Sequence, residues 1–144
     1  MICQNFMSNS YKARIEVILG CMFSGKSTEL LRRTNRYRAI QKKIFLVSHT
    51  LDTRTGSSIQ THEHVKEMAY KTDKLLSTVS LPEFDECDVV GVDEAQFFTD
   101  LIDFVKVCER LNKVIIVAGL DGDYKRQPIG QILDVIPMCD TVVK

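Results

Sequence analysis

Short apolar runs separated by polar stretches recur along this chain, and their period switches between that of a strand and that of a helix. Residues 15–19 are mostly apolar and rich in β-branched side chains, which predicts a buried central strand of a parallel sheet. Residues 27–42 contain no Gly or Pro, and Leu30, Leu31, Thr34, Tyr37 and Ile40 fall on one stripe of a helix, with Arg32, Arg33, Arg36 and Arg38 largely off it. Residues 43–48 predict a second buried strand. Between 49 and 64 the chain turns polar, and no core is available there, so an exposed loop is predicted. A short strand follows around 65–70. A short helix over 72–80 would turn Leu75, Leu76 and Val79 inward, with Pro82 closing it. Residues 88–94 form an apolar strand ending in two acids, and 95–98 turn out of the sheet. An amphipathic helix over 100–111 presents Leu101, Phe104, Val105 and Cys108, and a strand spans 114–119. A loop over 121–127, a helix over 129–138 until Pro137, and a last strand from Thr141 complete the pattern. Alternating strands and helices predict an α/β domain with a mainly parallel sheet covered by helices.

Composition narrows the class. A length of 144 residues suits one domain. Lys and Arg number 19 against 19 Asp and Glu, so no strong field draws the chain to nucleic acid or anionic lipid. The arginines of the first helix read as a solvated face. No apolar run approaches the ~20 residues that span a bilayer. Residues 1–12 read as a flexible tail, since the polar start lacks the layout of a signal peptide, and 13–144 as the folded domain. The five cysteines, Cys3, Cys21, Cys87, Cys108 and Cys139, contain no C-x-x-C pair and suit no disulfide framework, so reduced thiols in a cytoplasmic protein are expected.

The chemistry begins where the first strand meets the first helix. Gly20, Cys21, Met22, Phe23, Ser24, Gly25, Lys26 and Ser27 fill G-x-x-x-x-G-K-[ST] at every fixed position. Glycines let the backbone turn so that its N–H groups face phosphate oxygens, and the helix N-terminus adds partial positive charge. Lys26 reaches the terminal phosphates, and the Ser27 hydroxyl suits the Mg²⁺ that accompanies a nucleotide. Cys21 reads as a small filler of a variable loop position.

The second signal is Asp93-Glu94 at the end of an apolar strand. In phosphate-loop proteins an acid at the end of a neighbouring strand faces the metal, a role that Asp93 fits together with Ser27. Glu94 beside it is the natural base. The two acids serve equally a kinase, an ATPase acting on water, or a module that binds nucleotide without turnover. A GTPase is disfavoured because no Asn-Lys-x-Asp motif occurs.

The run from Gly20 to Leu30, with Asp52-Thr53-Arg54, Thr61-His62, Asp93 to Phe98, Leu120-Asp121-Gly122 and Arg126 to Gly130, resembles the cellular and viral thymidine kinases of the zinc-containing class. The segments match in order over nearly the whole chain. The resemblance implies a P-loop NTPase fold, RecA-like, with three layers, and ATP-dependent phosphorylation of thymidine at its 5′-hydroxyl to give dTMP. It implies that Glu94 is the catalytic base and that Asp52, Thr53 and Arg54 contact the phosphates on a loop that orders with nucleotide. Asp93, Glu94, Ala95 and Gln96 flank the phosphates and metal, and Met22, Phe97, Leu120 and Tyr124 wall the thymine ring. Phe98 reads as core packing. ATP and Mg²⁺ are the implied cofactors, a homotetramer is the implied assembly, and neither nucleic acid nor membrane is an implied partner.

Three departures stand out. Cys21 replaces a common proline, and Ile129 replaces a frequent phenylalanine at one pocket wall. The family also continues past a Val-Val-Lys segment into a domain with four zinc-binding cysteines and a loop that closes over the nucleoside, whereas this sequence stops at Lys144. The expectation for these residues alone is therefore ordinary Mg–ATP binding with weak or absent thymidine kinase activity, because a lid excludes water and positions the acceptor.

Overall fold

The computed structural model describes residues 13–21, 25–50, 58–60, 66–123 and 125–144. Their centre is a six-stranded sheet built from β1 (Arg14–Gly20), β2 (Ile44–His49), β5 (Tyr70–Thr72), β6 (Val89–Asp93), β7 (Val114–Leu120) and β8 (Thr141–Val143). The order is β5-β2-β6-β7-β1-β8, and every pairing is parallel. Two further strands, β3 (Ser58–Gln60) and β4 (Lys66–Met68), pair antiparallel as a separate ribbon. The segment expected to be an unstructured loop over 49–64 thus contributes one strand of that ribbon.

The two faces of the sheet follow the alternation within each strand. Ile15, Val17, Val90, Ile115 and Val117 meet α3 (Leu101–Arg110), which buries Leu101, Phe104, Val105 and Cys108 as its period predicts. Ile18, Leu46, Val89, Ile116 and Ala118 meet α1 (Lys26–Ala39), which buries Leu30, Leu31 and Thr34. Helices on both faces of a parallel sheet give the three layers expected. Among the described residues no helix is long and apolar enough to cross a membrane.

Several sequence-based expectations are corrected. The α1 stripe stops short of its predicted end: Ile40 is 64% exposed and Tyr37 only half-buried. Gln41 turns into the left-handed region at φ 67°, and the Lys42 N–H reaches back to the Tyr37 carbonyl, closing the helix without a glycine. Arg33, expected off the stripe, is tucked against Glu16 and Glu29. The helix expected over 72–80 is a 3₁₀ turn, Leu75–Ser80, so burial recurs every third residue: Leu75 and Thr78 face inward and Leu76 is exposed. Pro82 does not close that turn but opens α2 (Pro82–Glu86), where its missing N–H costs nothing. The last helix is also 3₁₀, Ile132–Met138, with Pro137 inside it. Asp100 and Gln131 tie these turns to α3. The Asp100 carboxylate accepts the N–H groups of Leu75 and Leu76, and Gln131 bridges the Thr99 carbonyl and the Ile102 N–H.

Candidate active site

In a parallel sheet all strand C-termini open at one edge, and side chains from the loops there converge. The ends of β1, β7 and β6 bring together Gly20, Leu120 and Asp93. The acid-bearing strand is not adjacent to β1, as the sequence suggested; β7 lies between them. Asp93 and Ser27 meet nonetheless. The Ser27 hydroxyl donates to Asp93 Oδ2 at 3.0 Å, although the two residues are 66 apart in sequence.

The phosphate loop is anchored at both ends. Gly25, at the N-cap of α1, has φ 85°, a left-handed conformation that any side chain would strain. The Lys26 side chain is almost wholly buried, and its ammonium donates to the Cys21 carbonyl at 2.6 Å. That ammonium also favours the charged form of the Asp121 carboxyl. A cleft of about 360 Å³ opens beside Gly25 and Lys26, with Glu29, Arg32 and Val143 on its other walls. Lys144 also lines it and pairs with Asp121, the residue after β7, at 2.6 Å; that bond holds the Asp121 carboxyl below its usual range.

Asp93 is 2% exposed and accepts the Glu94 backbone N–H through Oδ1 at 3.0 Å. Glu94 adopts φ 53°, ψ 44°, a left-handed conformation that costs a non-glycine residue about 1 kcal/mol or more. Strain of that kind collects where a side chain must be aimed. Glu94 Oε2 accepts the Gln96 carboxamide N–H at 2.7 Å. Ser27 and Asp93 offer a hydroxyl and a carboxylate, hard oxygens suited to Mg²⁺, which leaves most of its positions to water and phosphate. Among the described residues no group of three or more His, Cys, Asp or Glu stands ready to hold a metal by itself.

The remaining predicted residues divide. Ala95 is buried in the core beneath the site. Phe98 is fully buried with His49 against its ring, centroids 4.7 Å apart, as core packing requires. Phe97 is 38% exposed at the same corner, and Leu120 ends β7. Met22, Phe23, Ser24, Asp52, Thr53, Arg54 and Tyr124 lie outside the described residues. The Gln96 carboxamide is buried and engaged by Glu94 and by the Leu120 N–H. Cys21 is exposed, whereas burial pushes Cys87 up to about 11 and Cys108 further still, so those two are inert core thiols.

Comparison with known proteins identifies relatives of the chain. The sequence model of the thymidine kinase family matches residues 13–144. The chain is 42% identical to a thymidine kinase of raccoon poxvirus over 130 residues, covering 90% of this chain and 72% of that one. It is 43% identical to a thymidine kinase of Oryza sativa subsp. japonica, covering 94% and 52%, and 41% identical to the cytosolic thymidine kinase of Cricetulus griseus, covering 92% and 56%. The chain thus spans about half the length of those plant and hamster relatives. Among solved structures, the flagellar accessory protein FlaH of Methanocaldococcus jannaschii superposes with a TM-score of 0.57 at 19% identity, covering 87% of this chain and 67% of that one. A DNA replication initiation factor superposes at 0.54 and 14%, covering 99% and 45%. At such identities these two share the fold alone.

Proposed function

We propose that this chain, which belongs to the thymidine kinase family, transfers the terminal phosphoryl group of ATP to the 5′-hydroxyl of thymidine. What carries the reading is the meeting of Ser27 with Asp93 at 3.0 Å beside Glu94, behind a complete phosphate loop. The backbone of 20–27 and Lys26 hold the phosphates. Ser27 and Asp93 hold Mg²⁺, which when bound neutralises charge on the bridging and terminal phosphates. Glu94 takes the proton of the 5′-hydroxyl as that oxygen bonds to the γ-phosphorus and the bond to ADP breaks. Phe97 and Leu120, with Met22 and Tyr124, wall the base, and Asp52, Thr53 and Arg54 close on the phosphates. The same reading places the protein in the cytoplasm as a homotetramer that supplies dTMP for DNA synthesis, with no nucleic acid or membrane partner.

The test is ADP release by the purified protein with Mg–ATP, with and without thymidine. Release that requires thymidine and matches dTMP formed supports the proposal. Equal release in both arms identifies an ATPase and overturns it.

A further inference from the structure

Gln96 is held more tightly than a residue that merely flanks a phosphate needs to be. It is 4% exposed, and both ends of its carboxamide are engaged. Nε2 donates to Glu94 Oε2 at 2.7 Å, and Oε1 accepts the Leu120 N–H at 3.0 Å. Two glycines approach it, one at the side-chain amide and one at the backbone. A Cβ on Gly119 would stand 2.6 Å from Gln96 Oε1 and 2.8 Å from Ile132 Cδ1. Gly130, at φ 60°, packs its Cα so closely that a Cβ there would collide with the Gln96 carbonyl oxygen. The side-chain amide and the backbone of one residue are thus both clamped, by the end of β7 and by the turn that leads into the last 3₁₀ helix.

The chemistry of the bridge is selective. One partner is a carboxylate, which accepts only, and the other a backbone N–H, which donates only. A carboxamide satisfies both at once. A glutamate could not donate and would repel Glu94, and an apolar side chain would leave a buried N–H and a buried carboxylate each short of a partner. Glu94 also sits in a strained left-handed conformation, so its carboxylate needs an external reference to hold its aim.

We propose that Gln96 is a positioning residue, which fixes the Glu94 carboxylate relative to the end of β7 so that the base and the wall of the nucleoside pocket at Leu120 share one rigid frame. The inference rests on the role of Glu94 proposed above. It makes Gly119 and Gly130 part of the same device, since each leaves the space that Gln96 occupies. A displacement of about 1 Å at a reacting group costs ~10²-fold in rate, which sets the scale of the effect.

The test uses Gln96→Leu, Gly119→Ala, Glu94→Gln and the double variant Gln96→Leu/Glu94→Gln in the intact protein. Thymidine phosphorylation and ATP affinity are measured on the same samples. Gln96→Leu should lower kcat about 10²-fold, leave ATP affinity and the KM for ATP near wild type, and add nothing to the loss already caused by Glu94→Gln. Gly119→Ala, which crowds the amide oxygen together with Ile132 Cδ1 and the Ala95 backbone N but not the Glu94 side chain, should lower kcat in the same direction. A wild-type kcat in Gln96→Leu overturns the inference, as does a loss fully additive with that of Glu94→Gln, which would mark a structural role. Should Gln96→Leu fail to fold, Gly119→Ala with unchanged kcat overturns it. Full activity of Glu94→Gln refutes instead the role of the base itself, an outcome read independently in the single variant.

Discussion

The sheet carries two clusters of buried carboxylates, one on the α1 face of β1 and one at the end of β6. They are answered by different partners. Glu16 on β1 accepts Arg33 at 2.6 Å, Arg14 at 3.0 Å and the Tyr37 hydroxyl at 3.2 Å. Arg33 in turn donates to Glu29 at 2.7 Å, and Arg32 grips Glu29 with two bonds of 2.8 Å. Burial works against the charge of Glu29, but the hydrogen bonds from Arg33 and Arg32 outweigh it and hold the carboxyl below its usual range. At the end of β6, Asp93 accepts a hydroxyl and a backbone N–H, and Glu94 accepts a carboxamide. The cations differ in the same way. Arg33 is locked between two carboxylates, whereas Lys26 donates to a carbonyl and acts on the Asp121 carboxylate without a salt bridge. A charge matched by a fixed countercharge is used up in holding the fold. Contacts from neutral groups, such as Ser27 to Asp93 and Gln96 to Glu94, orient a charge without cancelling it.

The contrast can be broken at either cluster. Lys26→Ala should lower thymidine phosphorylation by about 10²- to 10³-fold, in the range for loss of one preorganised charge-stabilising group. Its melting temperature should fall little, because the hydrogen bond lost is one to a loop carbonyl. Steady-state kinetics with parallel calorimetry checks both halves. Glu16→Gln should do the reverse, lowering unfolding free energy by roughly 1–3 kcal/mol, as expected when one member of a partly buried ion pair is removed. Its kcat should stay at wild type, with urea denaturation as the readout. Smaller again is Ser27→Ala, which removes one of two oxygens offered to the metal. The Mg²⁺ concentration for half-maximal rate should rise about tenfold, the equivalent of one charge-assisted contact.

The smallest expected effect is a pH dependence of stability. His49 is buried against Phe97 and Phe98, and burial lowers its pKa below the ordinary 6.5, with nearby Asp73 and Asp100 opposing. The unfolded chain therefore binds a proton more readily than the folded one. Stability from this residue is fully present above pH 6.5 and is lost as pH falls through the depressed folded value. Melting temperature should drop between pH 7 and 5, and His49→Gln should flatten that slope.

Much of this arrangement is legible in the chain before any coordinates. The phosphate loop, the Asp93-Glu94 strand end and the apolar stripe of residues 101–108 stand out because each depends on local spacing. What escapes local reading is set by tertiary contact. Ile40 looks like the next step of a stripe, yet the backbone turns left-handed one residue later. Leu76 looks inward on a 3.6-residue period, and the turn instead has a period of three. The insertion of β7 between β1 and β6 is a matter of sheet order, which no local pattern encodes. The bridge that Gln96 makes between Glu94 and Leu120, and the close approach of Gly119 and Gly130 to it, are likewise tertiary. Two glycines downstream of an acid pair were the available signal, and their reason is three-dimensional.

The most direct measurement is transfer of labelled γ-phosphate from ATP to thymidine by the wild-type protein and by Glu94→Gln, with ATP affinity determined on both. Removal of a positioned general base should cut transfer about 10²- to 10⁴-fold and leave ATP affinity unchanged. Equal transfer by the two proteins would contradict the assignment of Glu94 and, with it, the distinction between a carboxylate held for chemistry and one held for the fold.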